Sequence, residues 1–284
     1  MNTSNEIGAS KIKLNGVDYS YIEEGKGQIV LLLHGFTGTK KTWTKLINKL
    51  KRNFRVIAID LLGHGETESP EDPNRYLMEQ AAKDLDDFLT EKQIDRIHLL
   101  GYSMGGRLAL YFALYYQHRI QSLLLESCTA GLISEEERLS RMNQDDQLAS
   151  MLLNKGMKTF VDYWENISLF SSQKQLSKSQ QEKIREGRLS QSPVGLSNSL
   201  KGMGTGIQPS LWDRLNTLEI RSLLICGEYD EKFCSIMGKM NEKMKNSEIR
   251  KILRAGHAIH VEQSEIFATI VSEFFLKSEK EEMS

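Results

Sequence analysis

Short apolar runs recur along the chain, each bounded by turn-forming or charged residues: 29–33, 55–59, 97–100, 122–125, 222–226 and 249–253. Their length suits strands, and helical patterns at 76–89, 107–116 and 261–276 fall between or after them. Strands alternating with helices predict βαβ units and a mostly parallel sheet. Near the start, 11–14 and 18–23 flank Asn15-Gly16. That dipeptide suits a tight hairpin, which would add antiparallel strands at one edge.

The rhythm stops between about residues 127 and 215. That stretch carries no clear strand but several amphipathic helical patterns, with polar spacers such as Ser171-Ser172-Gln173-Lys174. Its first helix opens on Ser134 with Glu137 three residues on, a capping box. The expected organisation is an α/β core built from 1–126 and 216–284, with 127–215 inserted as a helical lid over the carboxyl ends of the strands. A plainer reading makes the same helices ordinary connections.

At 284 residues, 39% hydrophobic and 26% charged, the chain can bury a substantial core. A net charge of -1 argues against non-specific nucleic-acid binding, which needs a basic excess. No apolar run approaches the length of a membrane span. Residues 1–11 lack the apolar stretch of a secretion signal, which predicts a cytoplasmic protein. Cys128, Cys226 and Cys234 are too few and too scattered for a disulfide framework or a paired metal site. Residues 277–284 are almost all charged and are expected to fray.

Candidate chemistry centres on Gly101-Tyr102-Ser103-Met104-Gly105, set between the 97–100 strand and the 107–116 helix. Glycines two residues to either side let a tight strand-to-helix turn hold Ser103 up at the carboxyl end of the sheet. This resembles the nucleophile elbow of the α/β-hydrolase fold. Serine needs a histidine to share its proton and a carboxylate to fix the histidine tautomer, in the chain order Ser, Asp or Glu, His. Asp230 follows the 222–226 strand and fits the acid, with Glu228 the competitor; His257 follows the 249–253 strand, with His260 the rival. His98 and His118 read as structural. The backbone N–H groups of Met104 and of Phe36, in His34-Gly35-Phe36-Thr37-Gly38, would form an oxyanion hole. Asp60, Gly63, His64 and Gly65 read as scaffold.

Arg107 lies one helical turn past Ser103 and can share its face. A cation there suggests an anionic substrate, since arginine grips carboxylates in a bidentate fork; a salt bridge to a neighbouring loop is the alternative. Arg138 with Arg141, and Arg185 with Arg188, repeat an i, i+3 spacing in the inserted stretch. Such pairs are usually solvated surface, and one member of each facing a polyanion is the sharper expectation.

With these residues in view, the chain resembles the 2-succinyl-6-hydroxy-2,4-cyclohexadiene-1-carboxylate synthases, pyruvate-eliminating lyases of menaquinone synthesis on the α/β-hydrolase fold. The resemblance spans about 13–276. Its specific part is the Gly-Tyr-Ser-Met-Gly-Gly-Arg stretch at 101–107, Glu126 with Gly131-Leu132, the segment 204–212, the segment 226–233, and Arg254-Ala255-Gly256-His257. Many hydrolases carry a proline four residues after the acid; here Asp230 is followed by Glu231-Lys232-Phe233-Cys234, which favours the lyases.

The resemblance implies a small polycarboxylate substrate, 2-succinyl-5-enolpyruvyl-6-hydroxy-3-cyclohexene-1-carboxylate, and no cofactor. The relay Ser103–His257–Asp230 would act as a base without an acyl-enzyme. Substrate binding would fall to Tyr102, Arg107, Arg141, Trp164 and Arg188. The stretch Ser127-Cys128-Thr129-Ala130 departs from the family pattern, and the loop length between Trp164 and Arg188 keeps Arg185 in play. A monomer or weak homo-oligomer is expected. A carboxylesterase or C–C bond hydrolase using the same triad as nucleophile is the main alternative, and a non-catalytic small-molecule receptor the remoter one.

Overall fold

Asn15 and Gly16 both take positive φ, 47° and 83°, as a type I′ turn requires. They close a hairpin between β1 (Ala9–Leu14) and β2 (Val17–Glu24). The computed structural model describes residues 8–282, with side chains described for 8–278. Beyond the hairpin come β3 (Ile29–Leu33), β4 (Arg55–Ile59), β5 (Ile97–Tyr102), β6 (Ile120–Glu126), β7 (Ser222–Gly227) and β8 (Ser247–Ile252). Among the described residues these form one eight-stranded sheet in the order β1-β2-β4-β3-β5-β6-β7-β8. It is antiparallel through β1, β2 and β4 and parallel from β4 to β8.

The central strands are apolar throughout because both faces are covered. Leu31, Leu33, Ile57 and Leu99 pack with α2 (Met78–Glu91), α3 (Met104–Tyr115) and α7 (Glu231–Lys243). Val30, Leu32, Val56 and Leu100 point the other way, onto α1 (Thr44–Leu50) and α9 (Ser264–Glu282). Between β6 and β7 lie α4 (Glu135–Trp164), α5 (Lys178–Leu189) and α6 (Pro193–Met203), with no strand among them. Ser134 caps α4 through the Glu137 N–H. Gly156 breaks α4 with φ 78° and ψ 169°, a conformation open to glycine and few others. This segment has a core of its own, Ala149, Leu152, Phe160, Val161, Trp164, Phe170, Leu196 and Leu200, and Phe36 from the loop after β3 packs against it.

Three of the boundaries that differ from the sequence expectation have a clear cause. The 76–89 helix starts at Met78, because Leu77 is extended (ψ 146°) after a 3-10 turn that buries Tyr76. The 261–276 helix divides into α8 (Ile259–Glu262) and α9. Glu262 accepts from the Gly256 and Ala258 N–H groups at the break. The charged tail continues α9 to Glu282, and buried Ser278 donates to the Phe274 carbonyl.

Candidate active site

Ser103 takes φ 50° and ψ −106° between β5 and α3. Glycine at 101 and 105 is required sterically: a Cβ on Gly101 would meet the Gly105 carbonyl oxygen at 2.3 Å, and one on Gly105 the Leu33 carbonyl oxygen at 2.4 Å. The Ser103 N–H donates to the Glu126 carbonyl (2.8 Å), tying the elbow to the end of β6. Met104 begins α3, so its N–H has no intrahelical acceptor. The Phe36 N–H lies in the loop after β3. Neither group has a hydrogen-bond partner among the described residues.

Asp230 caps α7 through the Phe233 N–H and turns its other oxygen to His257 Nδ1 at 2.6 Å. His257 Nε2 lies 2.9 Å from Ser103 Oγ. An ionised Asp230 accepts from Nδ1–H, which leaves Nε2 to accept the serine proton. His257 is 1% exposed. Phe233 (ring centroids 4.6 Å), Tyr102 (5.4 Å) and Phe170 (6.2 Å) surround its ring. Glu228 instead accepts from the Arg254 N–H and serves the turn. His260 faces away from the serine: its Nδ1 and backbone N–H both donate to the buried Glu126 carboxylate (2.9 and 3.0 Å). Glu126 therefore holds the elbow with its carbonyl and α8 with its carboxylate.

The Phe36 loop is fixed from below. His34 Nδ1 bonds the Gly35 carbonyl and Nε2 accepts from the Leu61 N–H. Burial lowers the His34 pKa to about 4, and the same cause takes His64 to about 3. Buried Asp60 holds the Lys40 ammonium at 2.6 Å and the Glu66 N–H at 2.9 Å, which is structural work.

Arg107 is 8% exposed and donates to Gln208 Oε1 at 2.9 Å. Burial and nearby Arg141 lower its pKa to about 10, so it stays a cation at neutral pH. Its polar partner is a neutral amide, not the carboxylate of a salt bridge. Arg141 pairs with Asp145 at 2.9 Å. Arg138 donates to the Gly206 carbonyl, in the 204–212 segment. Arg188 is buried, 4.7 Å over the Phe170 ring, with Gln173 Oε1 at 3.3 Å. Arg185 is held by Asp162 and Glu165. Arg188 and Phe170 also wall a cleft of about 280 Å³ that extends over α5.

Trp164 stacks on Phe160 and meets Phe36 edge-on at 5.4 Å, with Nε1 buried and unpartnered. Tyr102 lies between His257 and His260, its hydroxyl pKa pushed well up by burial, with Glu126 adding to the shift. The sequence reading missed the Glu126–His260 clamp, Phe170, Phe233, Asp145 and the role of Gln208. Glu126 and Gln208 lay inside stretches that carried the resemblance, which was the one available signal. Among the described residues no group of three or more His, Cys, Asp or Glu converges to hold a metal ion.

A serine elbow, a histidine on the serine and an acid on the histidine, all at strand ends of a mostly parallel sheet, define the serine-triad enzymes of the α/β-hydrolase fold. The family model described as alpha/beta hydrolase fold matches residues 28–264. A Bacillus subtilis (strain 168) protein provisionally named 2-succinyl-6-hydroxy-2,4-cyclohexadiene-1-carboxylate synthase is 46% identical, over 92% of this chain and 95% of its own. A Photorhabdus laumondii synthase of that name is 30% identical over 88% of this chain and 86% of its own. The chain belongs to this synthase family within the α/β-hydrolase class.

The solved structure of MenH from S. aureus superposes with a TM-score of 0.88, at 39% identity, covering 92% of this chain and 98% of that one. A thermophilic esterase from Thermogutta terrifontis, solved with malate bound, has a TM-score of 0.83 at 28% identity, covering 95% and 99%. No described helix is long and apolar enough to cross a membrane.

Proposed function

We propose that the protein eliminates pyruvate from 2-succinyl-5-enolpyruvyl-6-hydroxy-3-cyclohexene-1-carboxylate, with Ser103, His257 and Asp230 acting as one base. The observation that carries this reading is an intact relay beside a buried arginine, Arg107, that is paired with an amide and free to take a carboxylate.

His257 Nε2 draws the proton from Ser103 Oγ, and Asp230 stabilises the imidazolium that forms. The serine oxygen removes a ring proton. The freed electron pair shifts through the ring and the C–O bond to the enolpyruvyl group breaks. His257 returns its proton, and the departing enolate becomes pyruvate. The Phe36 and Met104 N–H groups face the oxygen on which negative charge builds. Arg107, Arg141 and Arg188 bind the carboxylates, and Tyr102 and Trp164 line the pocket.

In this reading residues 127–215 are a lid over an α/β core of 1–126 and 216–284. The contacts of Trp164 with Phe36 and of Phe170 with His257 support it. The protein acts in the cytoplasm on a free small molecule, without a cofactor.

The esterase neighbour with its bound dicarboxylate keeps one rival in view, in which Ser103 attacks an ester carbonyl. Pyruvate release from the enolpyruvyl substrate, run beside a panel of p-nitrophenyl esters, separates the two. Fast pyruvate release with negligible ester cleavage is expected. Rapid ester cleavage without pyruvate would overturn the proposal.

A further inference from the structure

Arg141 arrives at the site already engaged. Its Nε donates to Asp145 Oδ1 at 2.9 Å, one turn along α4. Asp145 is 3% exposed, and its second oxygen, Oδ2, is buried with no hydrogen-bond partner. A buried acceptor left without a partner is destabilising, a cost that a carboxylate kept only as a strut would avoid.

The seat for that idle oxygen depends on Gly204, where a Cβ would stand 2.5 Å from Oδ2. The charges around Asp145 come from two helices. Arg141 and Asp146 lie on α4, and Arg107 reaches it from α3. Burial raises the Asp145 pKa against the pull of the two arginines. Cys128, beside Arg107, is pushed up to about 12 by burial and stays neutral. The cluster of Arg107, Arg141 and Asp145 thus holds two cations and one anion, with the anion's binding capacity half used.

We propose that Asp145 is a built-in stand-in for a substrate carboxylate, holding the Arg141 guanidinium in place until an anionic ligand arrives. It is a positioning residue that limits affinity for carboxylates: it occupies Nε of Arg141, so a ligand takes the remaining guanidinium donors or displaces it, and in either case sits near its charge. The inference rests on the proposed polycarboxylate substrate, and it names the protein group whose charge that substrate meets.

The test is calorimetric binding of succinate to the wild-type chain, Asp145→Asn, Arg141→Gln and the double variant. Asp145→Asn should bind succinate about tenfold more tightly, because the competing like charge is gone. The gain should disappear in the Arg141→Gln background, and neutral dimethyl succinate should show none. Equal or weaker succinate binding by Asp145→Asn would make Asp145 a strut and overturn the proposal, as would binding by neither protein. Asp145→Ser repeats the measurement should the asparagine variant fail to fold. Calorimetry does not depend on turnover, so a failed pyruvate assay would sink the proposed reaction and leave the role of Asp145 separately decided.

Discussion

Ser103, Asp230 and His257 stand on loops at the carboxyl ends of strands, whereas Arg141, Trp164 and Arg188 stand in the helical stretch between β6 and β7. The first group is pinned by the sheet. The Ser103 N–H bonds the end of β6, the Asp230 N–H bonds Gly227 at the end of β7, and the side chains then bond one another. The second group takes its partners from its own or adjoining helical elements: Asp145 for Arg141 and Gln173 for Arg188. One half of the site is fixed before any ligand arrives. The other is held by side-chain contacts that, in the proposed function, a ligand would exchange. Proton transfer needs heavy atoms held at about 2.6–3.2 Å, while charge recognition tolerates repacking.

The largest break in that comparison should come from the pinned half. Ser103→Ala and His257→Ala should each lower pyruvate release about a thousandfold. The double variant should be little worse than either single one, since the pair acts as a unit. Additive losses would mean two independent roles. Next, Arg107→Gln should cut kcat/KM for the carboxylated substrate about a hundredfold, with a far smaller loss on a neutral ester. Equal losses would return Arg107 to the scaffold.

Acid should act through the sheet half. His34, His64 and His98 are buried, with pKa values near 4, 3 and 4, and no histidine lies between residues 127 and 215. These folded values lie below the unfolded value near 6.5, so the unfolded chain binds the extra protons as pH drops. Stability is fully present above about pH 6.5 and falls below it, by about 1.4 kcal/mol per pH unit for each such histidine until its folded pKa is reached. A melting temperature that does not fall between pH 7 and pH 5 would contradict this. The smallest effect should be that of Arg185→Ala. Its partners are only half-buried, and pairs so open to solvent contribute about 1 kcal/mol or less. Turnover within about twofold of wild type is expected; a large loss would put Arg185 in the substrate's path.

The same division explains what the sequence revealed. The placement of Asp230 and His257 just past strand ends, within hydrogen-bond reach of each other, was legible because apolar runs mark strands. The choice of Asp230 over Glu228 also followed, since the residue directly after Gly227 is consumed by the turn. Arg138 against Arg141 could not be decided, because residues three apart on a helix share a face. In the structure Gly206 takes Arg138 and Asp145 takes Arg141. Arg185 is claimed by Asp162 and Glu165 about twenty residues earlier, across two helices. The Glu126–His260 clamp joins groups 134 positions apart, a distance no local pattern spans.

Ser103 itself sits at φ 50° and ψ −106°, a region that favours glycine. Every other residue type there carries a standing conformational penalty in the folded chain, on the order of 1–3 kcal/mol. Ser103→Gly should therefore melt at a higher temperature than the wild type even as it loses its chemistry. Selection for stability alone would therefore favour replacing the hydroxyl at this position.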